Sequence, residues 1–295
     1  MKRTRVLGVV LTALVSVAGA VTIPVVAPST AASAAATSTT SGSGTAFRCV
    51  IDAFGQSTGG KIGFRRVVNT RVQVARATRK AVGWRPISWG LVSAYGGNDF
   101  ETTRQLVAST DGKVRLVETS WDSEDGDLEV RVVKVVGRGY PRRLVTVNDQ
   151  FIYWVAADRS LRRATWSGRR FVRPVTLPVT ISGATAMASY MTDYGTRIYY
   201  TDREGALHVV ADEGTRSADL VLRPAGYRGV TGLKAGTCMS PDYTTVRPFH
   251  GLLFVDRATG VGRFQRALRP VDADGGSVTK SARVRPAGWS WRRLG

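Results

Sequence analysis

Ile198 to Val210 reads IYYTDREGALHVV: an apolar run, a turn built on Asp and Gly, and a second apolar run. Asp and Gly supply the tight backbone geometry of a turn between two short runs of strand formers, so this stretch predicts a β-hairpin. Close versions occur at Phe151 to Arg163 (FIYWVAADRSLRR) and Leu252 to Phe264 (LLFVDRATGVGRF). Looser ones lie at Arg104 to Glu118 (RQLVASTDGKVRLVE) and Cys49 to Arg66 (CVIDAFGQSTGGKIGFRR). Taking the turn Gly or its equivalent, the marks fall at Gly60, Gly112, Ser160, Gly205 and Gly260, separated by 52, 48, 45 and 55 residues. A hairpin recurring about every 50 residues indicates a repeat architecture.

From Arg48 onward short segments alternate apolar and polar residues, as in VRLVETS (Val114 to Ser120) and LEVRVVKVV (Leu128 to Val136), with DG, GG and SG between them. That period of two makes the chain all-β, and no stretch sustains a helical period. A second marker lies between the hairpins, where Gly precedes an aromatic residue at Trp84, Tyr140, Tyr227 and Trp289. In the fourth unit the marker falls at Ser182 to Tyr190, where Ala184 follows Gly183 and the aromatic is missing. The last segment, GWSWRRLG, reads as the start of a unit with no hairpin after it, whereas Phe47 opens on a hairpin with no Gly-aromatic start. Each end supplies what the other lacks. The expected architecture is therefore a five-bladed β-propeller whose N- and C-terminal segments pair to close the ring, which removes free sheet edges.

The N-terminus carries a basic MKRTR, an apolar VLGVVLTALVSVAGA and the small-residue run ASAAA. This predicts a cleaved signal peptide over residues 1–36, exported by the ordinary secretory route, with no membrane segment after cleavage. The polar stretch TSTTSGSGT places a flexible linker at residues 37–46 and the folded domain at 47–295. Cys49 and Cys238 are the only cysteines. In an oxidising compartment a disulfide between them is the favoured pairing, with two buried thiols or an intermolecular bond as the alternatives.

The formal charge is +20, falling to about +17 once Lys2, Arg3 and Arg5 leave with the signal peptide. Such a surface attracts anionic polymers. Its arginines, however, are spread as RR, RxR and RP pairs through strand-like segments instead of forming one block, which argues against a dedicated nucleic-acid site. For a secreted protein, anionic cell-wall polysaccharide is the nearer partner.

With the pairs Gly83-Trp84, Gly139-Tyr140, Gly226-Tyr227 and Gly288-Trp289, and hairpins at Asp111-Gly112, Asp158, Asp202 to Leu207 and Asp256 to Gly260, the mature chain resembles five-bladed β-propellers of the tachylectin-2-like kind. It also looks like secreted actinobacterial repeats related to FG-GAP or VCBS sequences. The first resemblance implies a lectin. On it Trp84, Tyr140, Tyr227 and Trp289 become candidate ligand-binding residues, since a flat aromatic face suits the apolar side of a sugar ring. The competing use is packing, because a residue recurring in every unit of a repeat ordinarily sits between units. The second resemblance points to calcium, yet Ser93 to Thr103 (SAYGGNDFETT) and Asp122 to Glu129 (DSEDGDLE) lack the carboxylate spacing a hard cation needs. No metal or cofactor is expected.

Catalytic motifs are not found. His208 and His250 are the only histidines, and neither accompanies a nucleophile elbow or a zinc-binding helix. Asp111, Asp158, Asp202 and Asp256 recur at equivalent turns and read as turn residues. The expected function is a secreted, monomeric, non-catalytic binder of surface glycans or anionic cell-wall polymers, acting through repeated inter-blade sites. Several weak equivalent sites suit a polymeric ligand. Two other readings stand beside it: an extracellular carbohydrate-active hydrolase on the same fold, and a scaffold binding proteins on its loop face.

Overall fold

The computed structural model describes residues 47–295, apart from 98–99, 123–125, 193, 215, 240–249, 257, 270–275, 290, 292–293 and 295. The expected signal peptide and linker lie outside the described residues. Every regular element among the described residues is a β-strand. In chain order these are β1 (Arg48–Gln56), β2 (Ile62–Val68), β3 (Arg71–Ala77), β4 (Pro86–Gly97), β5 (Phe100–Ser109), β6 (Val114–Asp122) and β7 (Leu128–Gly137). There follow β8 (Val145–Val147), β9 (Phe151–Val155), β10 (Ser160–Trp166), β11 (Phe171–Thr180), β12 (Ala184–Thr192), β13 (Gly195–Asp202), β14 (Leu207–Asp212) and β15 (Ser217–Arg223). The last are β16 (Val230–Met239), β17 (His250–Asp256), β18 (Val261–Leu268), β19 (Ser277–Val278) and β20 (Ala282–Arg283).

Three sheets are four-stranded antiparallel meanders: β4 to β7, β8 to β11 and β12 to β15. This is the strand pattern of a propeller blade. The remaining strands join in one sheet, ordered β19-β18-β17-β16-β1-β2-β3, with β20 also on β18. What joins its halves is a short ladder in which Arg48, Cys49 and Val50 face Met239, Cys238 and Thr237. Cys49 and Cys238, directly opposite each other in that ladder, form a disulfide.

The core explains why the opening stretch begins with an unbroken apolar run. On β13, Ile198 and Tyr200 enter a cluster with Leu161, Val179 and Ile181 of the preceding unit, whereas Tyr199 enters a cluster with Val230, Leu233 and Phe254 of the following one. On β17, Leu252 and Phe254 face one junction, and Leu253 and Val255 the next. Successive side chains of a strand point to opposite faces, so a strand buried on both sides has no polar alternation to show. Five such clusters occur among the described residues: four join consecutive units, and the fifth joins Leu253, Val255 and Phe264 of the last unit to Cys49, Ile51 and Ala53 of the first. Into that fifth cluster pack Trp289, Trp291 and Leu294, and Leu294 forms a β-bridge to Gly55. Between the third and fourth units the buried Asp212 carboxylate accepts hydrogen bonds from Tyr153 Oη (2.8 Å) and from the Arg163 guanidinium (2.7 Å).

The two sequence markers are tied by one recurring hydrogen bond. The backbone N–H groups of Tyr140, Tyr227 and Trp289 donate to the carbonyls of Gly112, Gly205 and Gly260 at 3.1, 3.0 and 3.0 Å. In the other two units the donors are Val82, to Gly60 at 3.1 Å, and Ile181, to Arg159 at 2.9 Å. The register thus corrects three assignments. Arg159, with φ 67°, and not Ser160, holds the place of the turn glycines. Ile181, and not Ala184, fills the aromatic slot of the fourth unit. Val82 takes that slot in the unit containing Trp84, which lies two residues farther on. The turn aspartates act as expected, with Oδ1 of Asp111, Asp158, Asp202 and Asp256 accepting backbone N–H bonds from Lys113, Ser160, Gly205 and Ala258.

Candidate functional site

The first strands of the units, β4, β8, β12 and β16, leave a cavity at each of their two ends. Toward their N-terminal ends, Ile87, Val145, Met187 and Leu233 line about 530 Å³. Toward their C-terminal ends, about 450 Å³ is lined by Trp89, Gly90, Asn148, Asp149, Ser189, Tyr190 and Lys234, with Asp52 and Phe54 of β1 completing the wall. This second cavity is the candidate site, since it combines aromatic groups with ammonium, amide, hydroxyl and carboxylate groups in one concave space.

Its aromatic side is a rigid stack. Trp89 lies on Phe54 with ring centroids 4.5 Å apart and planes at 17°, Phe54 touches Phe64 at 4.9 Å, and Phe64 stacks on Trp121 at 4.6 Å. All four rings are buried.

Lys234 interrupts the apolar run of β16, and its ammonium donates to the backbone carbonyl of Trp89. The side chain is partly exposed along the cavity, and burial brings its pKa down to about 8 against a weaker upward pull from Asp52. Asp52 is held by both arms of Arg66, Nε to Oδ1 at 2.8 Å and Nη2 to Oδ2 at 2.9 Å. Asn148 uses Oδ1 to accept the backbone N–H groups of Gln150 (3.0 Å) and Phe151 (2.7 Å), which orients its amide nitrogen away from that turn. Asn148 Nδ2 and Trp89 Nε1 are both buried and have no acceptor among the described residues. Gln105 is satisfied by Thr103 Oγ1 at 2.9 Å, and Tyr190 Oη shares a 2.5 Å hydrogen bond with Thr237 Oγ1.

The four recurrent aromatics stand at separate junctions and are not brought together. Trp84 is half-buried 5.9 Å from Trp89, with the Arg115 guanidinium 5.1 Å above its ring. Tyr140 is half-buried against Trp154 at 5.3 Å, and burial pushes its hydroxyl up to about 12. Tyr227 is 3% exposed and donates from Oη to Gln265 Oε1 at 2.7 Å. Trp289 is 0% exposed beneath the Arg65 guanidinium, 4.5 Å away. Neither Tyr227 nor Trp289 presents a ring face on which a sugar could stack. Both fill the space between units.

The histidines are also structural. His250 is buried, shares a 2.8 Å hydrogen bond with Tyr199 Oη through Nδ1, and is pushed down to about 3 by burial. His208 stacks on Tyr200 at 4.3 Å and bonds Asp202 Oδ2 at 3.0 Å, the same turn-fastening role that Arg115 and Arg162 play on Asp111 and Asp158. Sequence reasoning missed Lys234 and Asn148. The available signal was a lone lysine inside VTGLKAGTCM, an otherwise apolar and small-residue strand of an arginine-rich chain.

No protein-family model matches the chain, and no curated protein sequence matches it. Among solved structures, the WD40 domain of SCAP from fission yeast aligns over 77% of this chain and 59% of its own, at 8% identity and a TM-score of 0.34. A triple arginine-to-alanine mutant of AofleA from Arthrobotrys oligospora aligns over 83% and 75%, at 12% identity and a TM-score of 0.41. The complex of the fission yeast SREBP and SCAP binding domains aligns over 73% and 60%, at 8% identity and a TM-score of 0.33. The chain spans about three fifths of the length of the two fission yeast structures.

Proposed function

We propose that the protein is a secreted, non-catalytic, lectin-like binder of surface glycans or anionic cell-wall polymers, built as a five-bladed β-propeller with a closed ring. The cyclic series of clusters, in which the last unit packs on the first, and the bridge from Leu294 to Gly55 support the ring. The Cys49–Cys238 bond fits an oxidising compartment, and no helix among the described residues is long and apolar enough to cross a membrane.

The observation that carries the binding function is the cavity between Trp89, Asn148, Lys234 and Asp52, where the first strands of the units converge. Hydroxyls of a sugar both donate and accept, and this wall offers acceptors in Asp52 and Asp149 beside donors in Lys234 and Asn148. The hydrolase reading would use Asp52 and Asp149 as its acid pair. Arg66 engages both oxygens of Asp52, which favours binding over hydrolysis. Trp84 and Tyr140, which keep solvent contact, are the recurrent aromatics at which a weaker, repeated sugar contact is proposed.

Binding of the mature protein to an array of glycans and cell-wall polymers at low and high salt tests this reading. Salt-resistant binding to particular glycans or polymers is the expected result. Binding that vanishes with salt would reduce the interaction to surface charge, and binding to neither class would refute it.

A further inference from the structure

Three of the residues that line the cavity carry N–H donors. Lys234 Nζ, Asn148 Nδ2 and Trp89 Nε1 are all N–H donors, and the last two are buried without an acceptor among the described residues. A buried donor left unpaired is costly, so two on residues that line one cavity ask for an acceptor from outside the protein. Neither can be relieved by turning the side chain: Asn148 is fixed by the two N–H groups that its Oδ1 accepts, and Trp89 by its stack on Phe54. Among the described residues, the only carboxylates lining the cavity are Asp149, which is exposed, and Asp52, which Arg66 neutralises.

The geometry points to a site for a singly charged, oxygen-bearing anionic group carried on a carbohydrate-type polymer, received by Lys234, Asn148 and Trp89. This rests on the binding function proposed above and names its ligand chemistry. One ammonium and two neutral N–H donors match a single negative charge spread over two or more oxygens, as in the carboxylate of a uronic acid or the phosphodiester of a polyol-phosphate chain. A doubly charged phosphate monoester would meet only one uncompensated cation and would be repelled by Asp149. A neutral sugar would bring no charge to meet the Lys234 ammonium.

Calorimetry at high salt, where contacts with the basic outer surface are screened, tests the assignment with three probes: an oligogalacturonate, a neutral galacto-oligosaccharide of equal length, and a poly(glycerol phosphate) chain. The variants are Lys234→Met, which removes the charge, and Asn148→Asp, which keeps the acceptor for the Gln150 and Phe151 N–H groups but replaces the free donor with a negative oxygen. Each is expected to weaken the preferred anionic probe at least tenfold while its thermal unfolding shows an intact fold. Should Lys234→Met fail to fold, Asn148→Asp carries the test. Preference for one anionic probe over the other identifies the source of the charge and supports the site either way. Wild-type-like affinity in folded variants would overturn the inference and leave the glycan reading standing, as would tightest binding to the neutral oligosaccharide. Binding to none of the three probes would overturn it as well, and the polymer array then decides whether the broader reading falls too.

Discussion

Lys234 of β16 donates to the carbonyl oxygen of Trp89 on β4, joining two strands that belong to different sheets. The contact holds a charge in a place where burial opposes it, and this has a consequence for pH. With the folded pKa at about 8, below the ordinary lysine value, the unfolded chain holds a proton between about pH 8 and 10.5 that the folded chain has released. Stability attributable to this group therefore rises with pH across that window, by at most about 1.4 kcal/mol per pH unit. Denaturant titrations of wild type and Lys234→Met from pH 7 to 10 should show that increment in the wild type alone. Affinity for an anionic ligand should move the other way and fall as pH passes 8.

His250 gives the acidic counterpart. Its folded pKa of about 3 lies below the ordinary 6.5, so protons bind preferentially to the unfolded chain between those values. Stability should decline as pH falls through the window, at roughly 1.4 kcal/mol per unit for this one group. His250→Gln, whose amide can still meet Tyr199 Oη, should flatten that part of the profile.

Arg159 and Gly205 occupy the same turn position with opposite fitness for it. At φ 67° the arginine sits where a side chain crowds the backbone, and Arg159→Gly should gain up to about 1 kcal/mol after the extra chain entropy of glycine is subtracted. Gly205 has φ 92°, and a Cβ there would lie 2.8 Å from the Arg228 nitrogen. Gly205→Ala should therefore lose about 2 kcal/mol or more in urea melts. Equal effects of the two substitutions would contradict the equivalence of these two turns.

Removing the Cys49–Cys238 bond as a double alanine variant should cost up to about 4–5 kcal/mol, because it releases a loop closed over a separation of 189 residues. The measurement is unfolding of the variant against oxidised wild type under non-reducing conditions. A difference below about 1 kcal/mol would mean that the β1–β16 ladder holds these strands without it.

The hairpins and their period were legible in the sequence because a tight turn needs particular residues locally: Asp111, Asp202 and Asp256 cap their turns with their own carboxylates, and glycines follow at positive φ. The aromatic slot was legible only in part. What defines it is a backbone hydrogen bond to the preceding turn, which any residue can make, so Val82 and Ile181 fill it unannounced while the conspicuous Trp84 lies outside it. The cavity was not legible at all. Trp89, Asn148 and Lys234 stand 59 and 86 residues apart, each in or beside a strand that reads like its neighbours. Nothing local distinguishes a residue aimed along the convergence of the first strands from one aimed at a neighbouring sheet.

The burial of β13 and β17 on both faces bears on how the chain can vary. In a linear array the end units have one outer face that meets no neighbour, so units can be added or lost from an end. Here Tyr199 and Tyr200, adjacent in sequence, belong to different cores. Deleting a unit would leave two half-built cores and bring together faces that were never matched. In the closed ring proposed above, the number of units is as firmly set as the contents of any one of them. Variation is confined to what loops and first-strand residues can change without altering the count.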